Sequence, residues 1–298
     1  MRPGIAMAVH GGAYAIPEEE RDAHRRGCRQ ALEVGLAILN QRGSSLDAVE
    51  AAVATLEEDG TFGAGRGAAL NEDGEVALDA GIMDGRSLAT GSVAALQAVP
   101  AAVRVARKVL ASQYAVLVGE GALRFARRNG LLICDPRELI SEREWRRWAA
   151  GHGEQPVDWA QHMFSDTVGA VAADSRGHLA AATATGGSPR KPKGRVGDSP
   201  FVGCGFYADD ATAAVSTTGH GERLIPLVWA KYAADTVAGG ATPQEAAERS
   251  VSLAASAHAR GGMIIVNHLG RIGVAWNTPQ MAFALLEAGT DEIQDGPS

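Results

Sequence analysis

Short apolar runs arranged in pairs around polar turns constrain the fold of this chain more than any other feature. Val168 to Ala173 and Leu179 to Thr185 flank Asp174-Ser175-Arg176-Gly177-His178, and Gly262 to Val266 and Ile272 to Trp276 flank a second turn. Ala68 to Leu70 and Val76 to Ala80 do the same about Asn71-Glu72-Asp73-Gly74-Glu75. Each pair reads as an antiparallel hairpin. Apolar positions at helical spacing lie between them: Glu18 to Leu39, Leu46 to about Leu56 with Ser45 as its cap, Pro100 to about Leu110, Glu222 to Val237, and Pro243 to His258. Further strands are expected at Ile5 to Val9, ending in a His10-Gly11-Gly12-Ala13 loop, at Tyr114 to Val118, and at Ala211 to Thr217. Hairpins and paired helices in both halves suit antiparallel sheets covered by helices, not a βαβ wind. Between about Pro136 and Ser165 the pattern deteriorates; Arg143 to Trp148 reads as helical and Gly151 to Pro156 as loop. An exposed, irregular stretch of this kind tolerates a chain break best.

The 298 residues suffice for one large domain or two modest ones. Glycine, at 37 residues, is close to twice its usual share of about 7%, and much of it sits in loops beside strands, where backbone N–H groups can approach a ligand closely. A net charge of -7 argues against a nucleic-acid partner, which needs a concentrated basic surface. Cys28, Cys134 and Cys204 are odd in number and unrelated in spacing, which suggests neither a disulfide framework nor a zinc site. The N-terminal residues lack a long apolar core with a cleavage site, and no run approaches a membrane span, so a cytoplasmic location is expected.

Thr167, in Ser165-Asp166-Thr167-Val168-Gly169, stands at the head of a strand. A threonine hydroxyl is a weak nucleophile until a neighbouring base takes its proton. If the bond before Thr167 is cut, its own α-amine, with a reference pKa of about 7.7–8.0, can be that base. Three segments follow in order: Thr183-Ala184-Thr185-Gly186-Gly187, Gly194-Arg195-Val196-Gly197-Asp198-Ser199-Pro200, and Ser216-Thr217-Thr218-Gly219-His220-Gly221-Glu222. Arg195 and Asp198 offer opposite charges that suit a zwitterion, the planar guanidinium matching a carboxylate. The bland alternative is a mutual salt bridge in a surface turn.

With these segments in this order, the chain resembles the N-terminal-nucleophile hydrolases of the plant-type asparaginase and isoaspartyl peptidase family, over almost its whole length. The resemblance implies an α+β fold, a four-layer αββα sandwich of two antiparallel sheets flanked by helices. It implies one domain over 1–298 that cuts itself at Asp166-Thr167, near Gly11, into an α subunit of 1–166 and a β subunit of 167–298. Thr167 would attack the substrate's side-chain amide, Thr185 would orient it, and Thr218 and Gly219 would form the oxyanion hole. Arg195, Asp198 and Gly221 would hold the α-carboxylate and α-ammonium of the aspartyl group. Substrates would be L-asparagine and β-aspartyl peptides, with L-aspartate released. No organic cofactor is implied; a structural sodium would lie on the carbonyl oxygens of Leu56, Glu57, Asp59, Phe62, Ala64 and Arg66. Relatives suggest a homodimer of αβ units, with neither membrane nor nucleic acid as partner.

The chain departs from that pattern at Gly63, where the family has asparagine, so an amide donor near the centre is missing. A poorly matured, weakly active paralogue is one alternative; a glycosylasparaginase-type amidase of the same fold is another, and a taspase-like endopeptidase would need a longer chain. Arg190, Lys191 and Lys193 form a basic loop, read either as solvated or as selecting leaving groups that carry carboxylates. Val116 to Ala122 superficially suggests a dinucleotide site, but Arg124 stands where its third glycine belongs.

Overall fold

The computed structural model describes residues 4–150 and 167–297, so Asp166 and the loop at Gly151 to Pro156 lie outside the described residues. Two sheets are stacked face to face. The larger has eight strands in the order β12-β11-β1-β5-β6-β2-β3-β4 and the smaller has four in the order β10-β9-β8-β7. The larger comprises β1 (Ala6–Tyr14), β2 (Leu78–Asp84), β3 (Thr90–Leu96), β4 (Val116–Val118), β5 (Val168–Ala173), β6 (Leu179–Thr185), β11 (Gln280–Leu286) and β12 (Gln294–Gly296). The smaller comprises β7 (Phe206–Ala208), β8 (Ala213–Gly219), β9 (Gly261–Asn267) and β10 (Ile272–Trp276). All pairings are antiparallel except the edge pair β3 and β4, which is parallel because the helix α3 (Ala102–Leu110) crosses between them.

Helices close both outer faces. Residues of α1 (Glu18–Asn40), α2 (Ser45–Asp59), α3 and α4 (Gly119–Arg128) share an apolar cluster with the outer face of the larger sheet, and Trp148 of α5 (Glu142–Ala150), the helix expected there, packs against it. A second cluster fills the space between the sheets, with Ala6, Ala8, Val171, Ala181, Phe206, Ala214 and Ile264. A third joins the far face of β8 and β9 to α7 (Trp229–Ala238) and α8 (Pro243–Ser256). Three apolar layers between four structural layers make the expected αββα sandwich. The central strands are buried on both faces, so β5 and β6 read as nearly unbroken apolar runs rather than alternating ones. Among the described residues no helix is long and apolar enough to cross a membrane.

Several local expectations change. His10-Gly11-Gly12-Ala13 is no loop but part of β1, whose register with β11 shifts between His10 and Ala13. The N-cap of α2 is Ser44, whose hydroxyl accepts the Asp47 N–H at 3.1 Å; Ser45 is already helical. The hairpin about Asn71 reduces to a single bridge between Leu70 and Val76, because β2 pairs instead with β3 and β6. The helix expected from Glu222 to Val237 is broken. A short α6 (Gly221–Leu224) gives way to a 3-10 turn at Ile225–Leu227, and α7 starts only after Val228, at φ 46°. Pro226, lacking an N–H, explains the interruption. Strands β3, β7, β11 and β12 had no distinct signal.

The sheets pack tightly where Phe206 of β7 lies against Gly81 of β2: a Cβ on Gly81 would stand 2.0 Å from the ring. Gly81→Ala is expected to lower stability by about 1–3 kcal/mol through overpacking, read as a fall in the urea midpoint. Phe206→Leu in the same background should recover part of that loss, and an unchanged midpoint in Gly81→Ala would contradict this packing.

Candidate active site

Alternation along the strands decides which side chains can meet. Ala170, Ala172, Ala182 and Ala184 face the helices, whereas Val171, Ala173 and Ala181 face the smaller sheet. Thr167, Gly169, Thr183 and Thr185 have the same parity as the second set and therefore open into the space between the sheets. His10 follows Ala6 and Ala8 into that space from β1, and Ser216 and Thr218 follow Ala214 into it from β8. The two-residue period thus gathers the expected hydroxyls at one end of the inter-sheet layer.

Thr167 immediately precedes β5, and the register Val168 to Ala184 places it opposite Thr185. Both are buried, and the Thr167 hydroxyl donates to Thr185 Oγ1 at 3.2 Å. Thr185 Oγ1 also accepts the Gly187 N–H at 2.9 Å, which fixes its orientation. Gly11 pairs with Val168, so the segment around Gly11 lies beside Thr167. A Cβ on Gly11 would fall 2.2 Å from the Phe62 ring, so that approach requires glycine. Thr218 is fully buried near the end of β8, and a Cβ on Gly219 would stand 2.4 Å from the Arg260 carbonyl oxygen.

A polar chain beneath Thr167 joins the two sheets. His10 Nε2 and Ser216 Oγ are 2.9 Å apart, Ser216 Oγ and Thr183 Oγ1 2.8 Å, and Thr183 Oγ1 donates to the Gly205 carbonyl at 3.2 Å. Burial pushes the His10 imidazole down to about 3, against an opposing influence from the Thr167 backbone, so the ring is neutral at physiological pH. A Cβ on Gly169 would lie 2.0 Å from Ser216 Oγ, so the chain passes only beneath a glycine.

The second group of residues lies on the loop after β6. Asp198 is buried, and burial pushes its carboxyl up to about 6 in spite of its own backbone N–H, the Arg195 charge and the Thr217 hydroxyl. Thr217 Oγ1 donates to Asp198 Oδ2 at 3.3 Å. Arg195 does not pair with Asp198, so the surface-turn salt bridge is excluded; its Nε donates to Glu222 Oε1 at 2.7 Å. That bond holds the Glu222 carboxyl below its usual range. Gly221 packs against Asp198, and a Cβ there would meet Oδ1 at 2.8 Å. Arg195, Asp198 and Gly221 are therefore one cluster, and Glu222 and Thr217 belong to it as well. Both stood in the segment that drew attention to Thr218, but no spacing rule singled them out.

The basic loop is not solvated as a whole. Lys191 is buried, Arg190 Nη2 donates to the Trp148 carbonyl at 3.2 Å, and Lys193 lies 2.9 Å from Glu75 and 3.6 Å from Asp73. Cations already engaged by the protein are poorly placed to select a leaving group. The Gly119-Glu120-Gly121 turn follows an edge strand with three strands between it and β5, and a Cβ on either glycine would touch nothing within 4 Å. No close approach demands glycine there, unlike a phosphate-binding turn.

The stretch from Leu56 to Arg66 folds inward on its own carbonyls. A Cβ on Gly65 would meet the Glu57 oxygen at 2.1 Å, and one on Gly67 would meet the Phe62 and Gly60 oxygens at 2.2 and 2.7 Å. These contacts mark close backbone packing around Gly65 and Gly67. The Ala64 carbonyl already accepts the Gly67 N–H at 3.1 Å. The Glu57 side chain points elsewhere, accepting the N–H groups of Ala102 and Val103 at 2.8 and 3.1 Å, and so caps α3. The Gly63 carbonyl accepts the Gly186 N–H at 2.7 Å, which sets the substituted position beside the residue that follows Thr185.

Residues 3–294 match the protein family described as asparaginase. An isoaspartyl peptidase/L-asparaginase from Bos taurus is 41% identical over 289 residues, covering 95% of this chain and 93% of its own length. One from Homo sapiens is 39% identical with the same coverages, and a plant-type L-asparaginase from Thermococcus kodakarensis is 40% identical over 308 residues, covering 98% and 99%. Similarity of this extent, over a layered fold that gathers Thr167, Thr185, Thr218, Arg195 and Asp198 at one end of the sheets, shows that the chain belongs to the asparaginase family of hydrolases.

Proposed function

We propose that this protein is an autoprocessing threonine amidohydrolase that hydrolyses β-aspartyl peptides and L-asparagine and releases L-aspartate. The observation that carries the reading is the buried hydroxyl pair, Thr167 Oγ1 to Thr185 Oγ1 at 3.2 Å, at the head of a central strand. The names of the relatives from Bos taurus and Thermococcus kodakarensis support the substrate class.

Cleavage of the Asp166-Thr167 bond turns the Thr167 nitrogen into an amine, which takes the proton from Oγ1 as that oxygen attacks the side-chain carbonyl carbon of the substrate. The oxyanion is met by the Thr218 hydroxyl and the Gly219 N–H, each such donor being worth about 2.7–4 kcal/mol. Collapse breaks the C–N bond; ammonia or an amino acid leaves with the proton held by the α-ammonium, and water then hydrolyses the aspartyl ester on Thr167. Nε of Arg195 is occupied by Glu222, so the guanidinium offers its terminal nitrogens to the substrate α-carboxylate. Asp198 receives the α-ammonium, and Gly221 lines the same spot. A sodium ion on the carbonyls from Leu56 to Arg66 would brace the segment that carries Gly63. Glycine at 63 lacks the amide donor of the family's asparagine, and either a water takes that place or maturation and turnover are slower.

Mass spectrometry of purified protein over time is expected to show two fragments, beginning at Met1 and Thr167, in wild type, and an intact chain in Thr167→Ala. A wild-type chain that stays whole and inactive would sink the mechanism.

The pH profile tests the clamp. Asp198 must be ionised to hold an ammonium, and its folded value near 6 means that the competent form is lost as pH falls through that value. The kcat/KM profile is expected to steepen below about pH 6, by about a further tenfold per unit, with the α-amine contributing a separate break at higher pH. In the residual activity of Asp198→Asn the lower break should vanish; its persistence would assign that break to another group.

A further inference from the structure

Lys191 lies in the loop between the hydroxyl pair and the clamp, yet nothing in the proposed chemistry uses it. Its side chain is 2% exposed, and its ammonium donates to the Ala77 carbonyl at 2.9 Å and stands 3.8 Å from Asp79 Oδ2. Asp79 is fully buried at the start of β2, where its Oδ1 accepts the Ala95 N–H at 2.8 Å. In the register of β2 with β6, Asp79 stands directly opposite Thr185, so Asp79, Thr185 and Thr167 form one row across three adjacent strands. Burial raises the Asp79 carboxyl and lowers the Lys191 ammonium, while each charge pulls the other back toward ionisation.

The second link runs through Gly187. This residue has φ 76°, and a Cβ there would lie 2.8 Å from both Cδ and Nζ of Lys191. The Lys191 side chain therefore lies against the residue whose N–H holds Thr185 Oγ1. We propose that Lys191, anchored on Asp79 and Ala77, is a positioning residue that fixes Gly187 and thereby aims Thr185 at the Thr167 hydroxyl. Arg195 and Asp198 have separate anchors in Glu222 and Thr217. Asp79 also takes the Gly197 N–H of the clamp loop and feels the Arg195 charge, but it stays in place when Lys191 is replaced, so the loss of Lys191 falls first on Gly187 and the Thr167–Thr185 pair. The assignment rests on the proposed amidohydrolase reading, and it predicts a defect in turnover with substrate affinity kept.

The experiment measures kcat and KM per cleaved chain on a β-aspartyl dipeptide for wild type, Lys191→Met and Gly187→Ala, with the melting temperature of each. Lys191→Met is expected to lower kcat by more than about tenfold with KM within about threefold of wild type. Gly187→Ala keeps both charges but displaces the lysine stem; it should give the same split, and it decides the question if Lys191→Met does not fold. A folded variant that no longer cuts itself supports the assignment equally, since the same hydroxyl attacks in both reactions. A folded, cleaved variant with kcat within about tenfold of wild type, or with KM raised as much as kcat falls, overturns it. Inactive wild type would instead overturn the proposed function.

Discussion

The double burial of β5 and β6 is the constraint on which the rest of the structure depends. With helices on one side and a second sheet on the other, a polar group on these strands has no water to turn to, and an unmet donor or acceptor costs about 1–3 kcal/mol. Every hydroxyl there must be answered by protein. Thr183 and Ser216 answer each other and His10, and Thr167 and Thr185 form the next pair along. The polar groups at this end of the layer are thus held by one another, the preorganisation that the proposed acyl transfer to Thr167 would need.

The same burial separates two electrostatic regimes a short distance apart. Beneath Thr167 the groups are neutral: burial strips His10 of its proton, and threonine and serine carry no charge. On the loop after β6 the groups are charged, and they are kept from collapsing onto one another by distribution among partners, Arg195 to Glu222 and Asp198 to Thr217. An Arg195–Asp198 pair would have satisfied itself. Separate anchoring keeps the two charges from neutralising each other, as the proposed zwitterion clamp requires.

Much of this was legible in the sequence, and the exceptions have physical causes. The hairpin of β5 and β6 matches its expected ends because the Asp174 turn announces it: Asp174 Oδ1 accepts the N–H groups of Arg176 and His178. Strand β11 pairs with β1, at the other end of the chain, so no local turn announces it; β3 and β7 each pair with a sequence neighbour across a short turn on which Asp84 or Asp209 accepts the N–H two residues on, a signal present in the sequence but shared by many loops. The helix after Glu222 was read too long because apolar periodicity continues through Ile225 and Leu227, although Pro226 cannot. The buried state of Lys191 could not be read from a loop that otherwise looks solvated, since it depends on Asp79, more than a hundred positions earlier. Thr167, Thr185, Arg195, Asp198 and Thr218 stand out as candidates from ordered short segments, whereas Glu222 and Thr217, which contact Arg195 and Asp198, lie inside one of those segments with no spacing rule to single them out.

The strand order of the larger sheet has a consequence for any break before Thr167. Read across the sheet, β12 and β11 come from after that point, β1 from before it, β5 and β6 from after it, and β2, β3 and β4 from before it. The two pieces would be interleaved like the fingers of clasped hands, with three seams of backbone hydrogen bonds between them: β11 to β1, β1 to β5, and β6 to β2. Pulling them apart would mean opening all three at once and baring the central apolar layers. A nicked molecule would therefore persist as one particle on dilution, and the cut ends could move apart locally, giving a substrate access to the new terminus without loosening the scaffold that aims it.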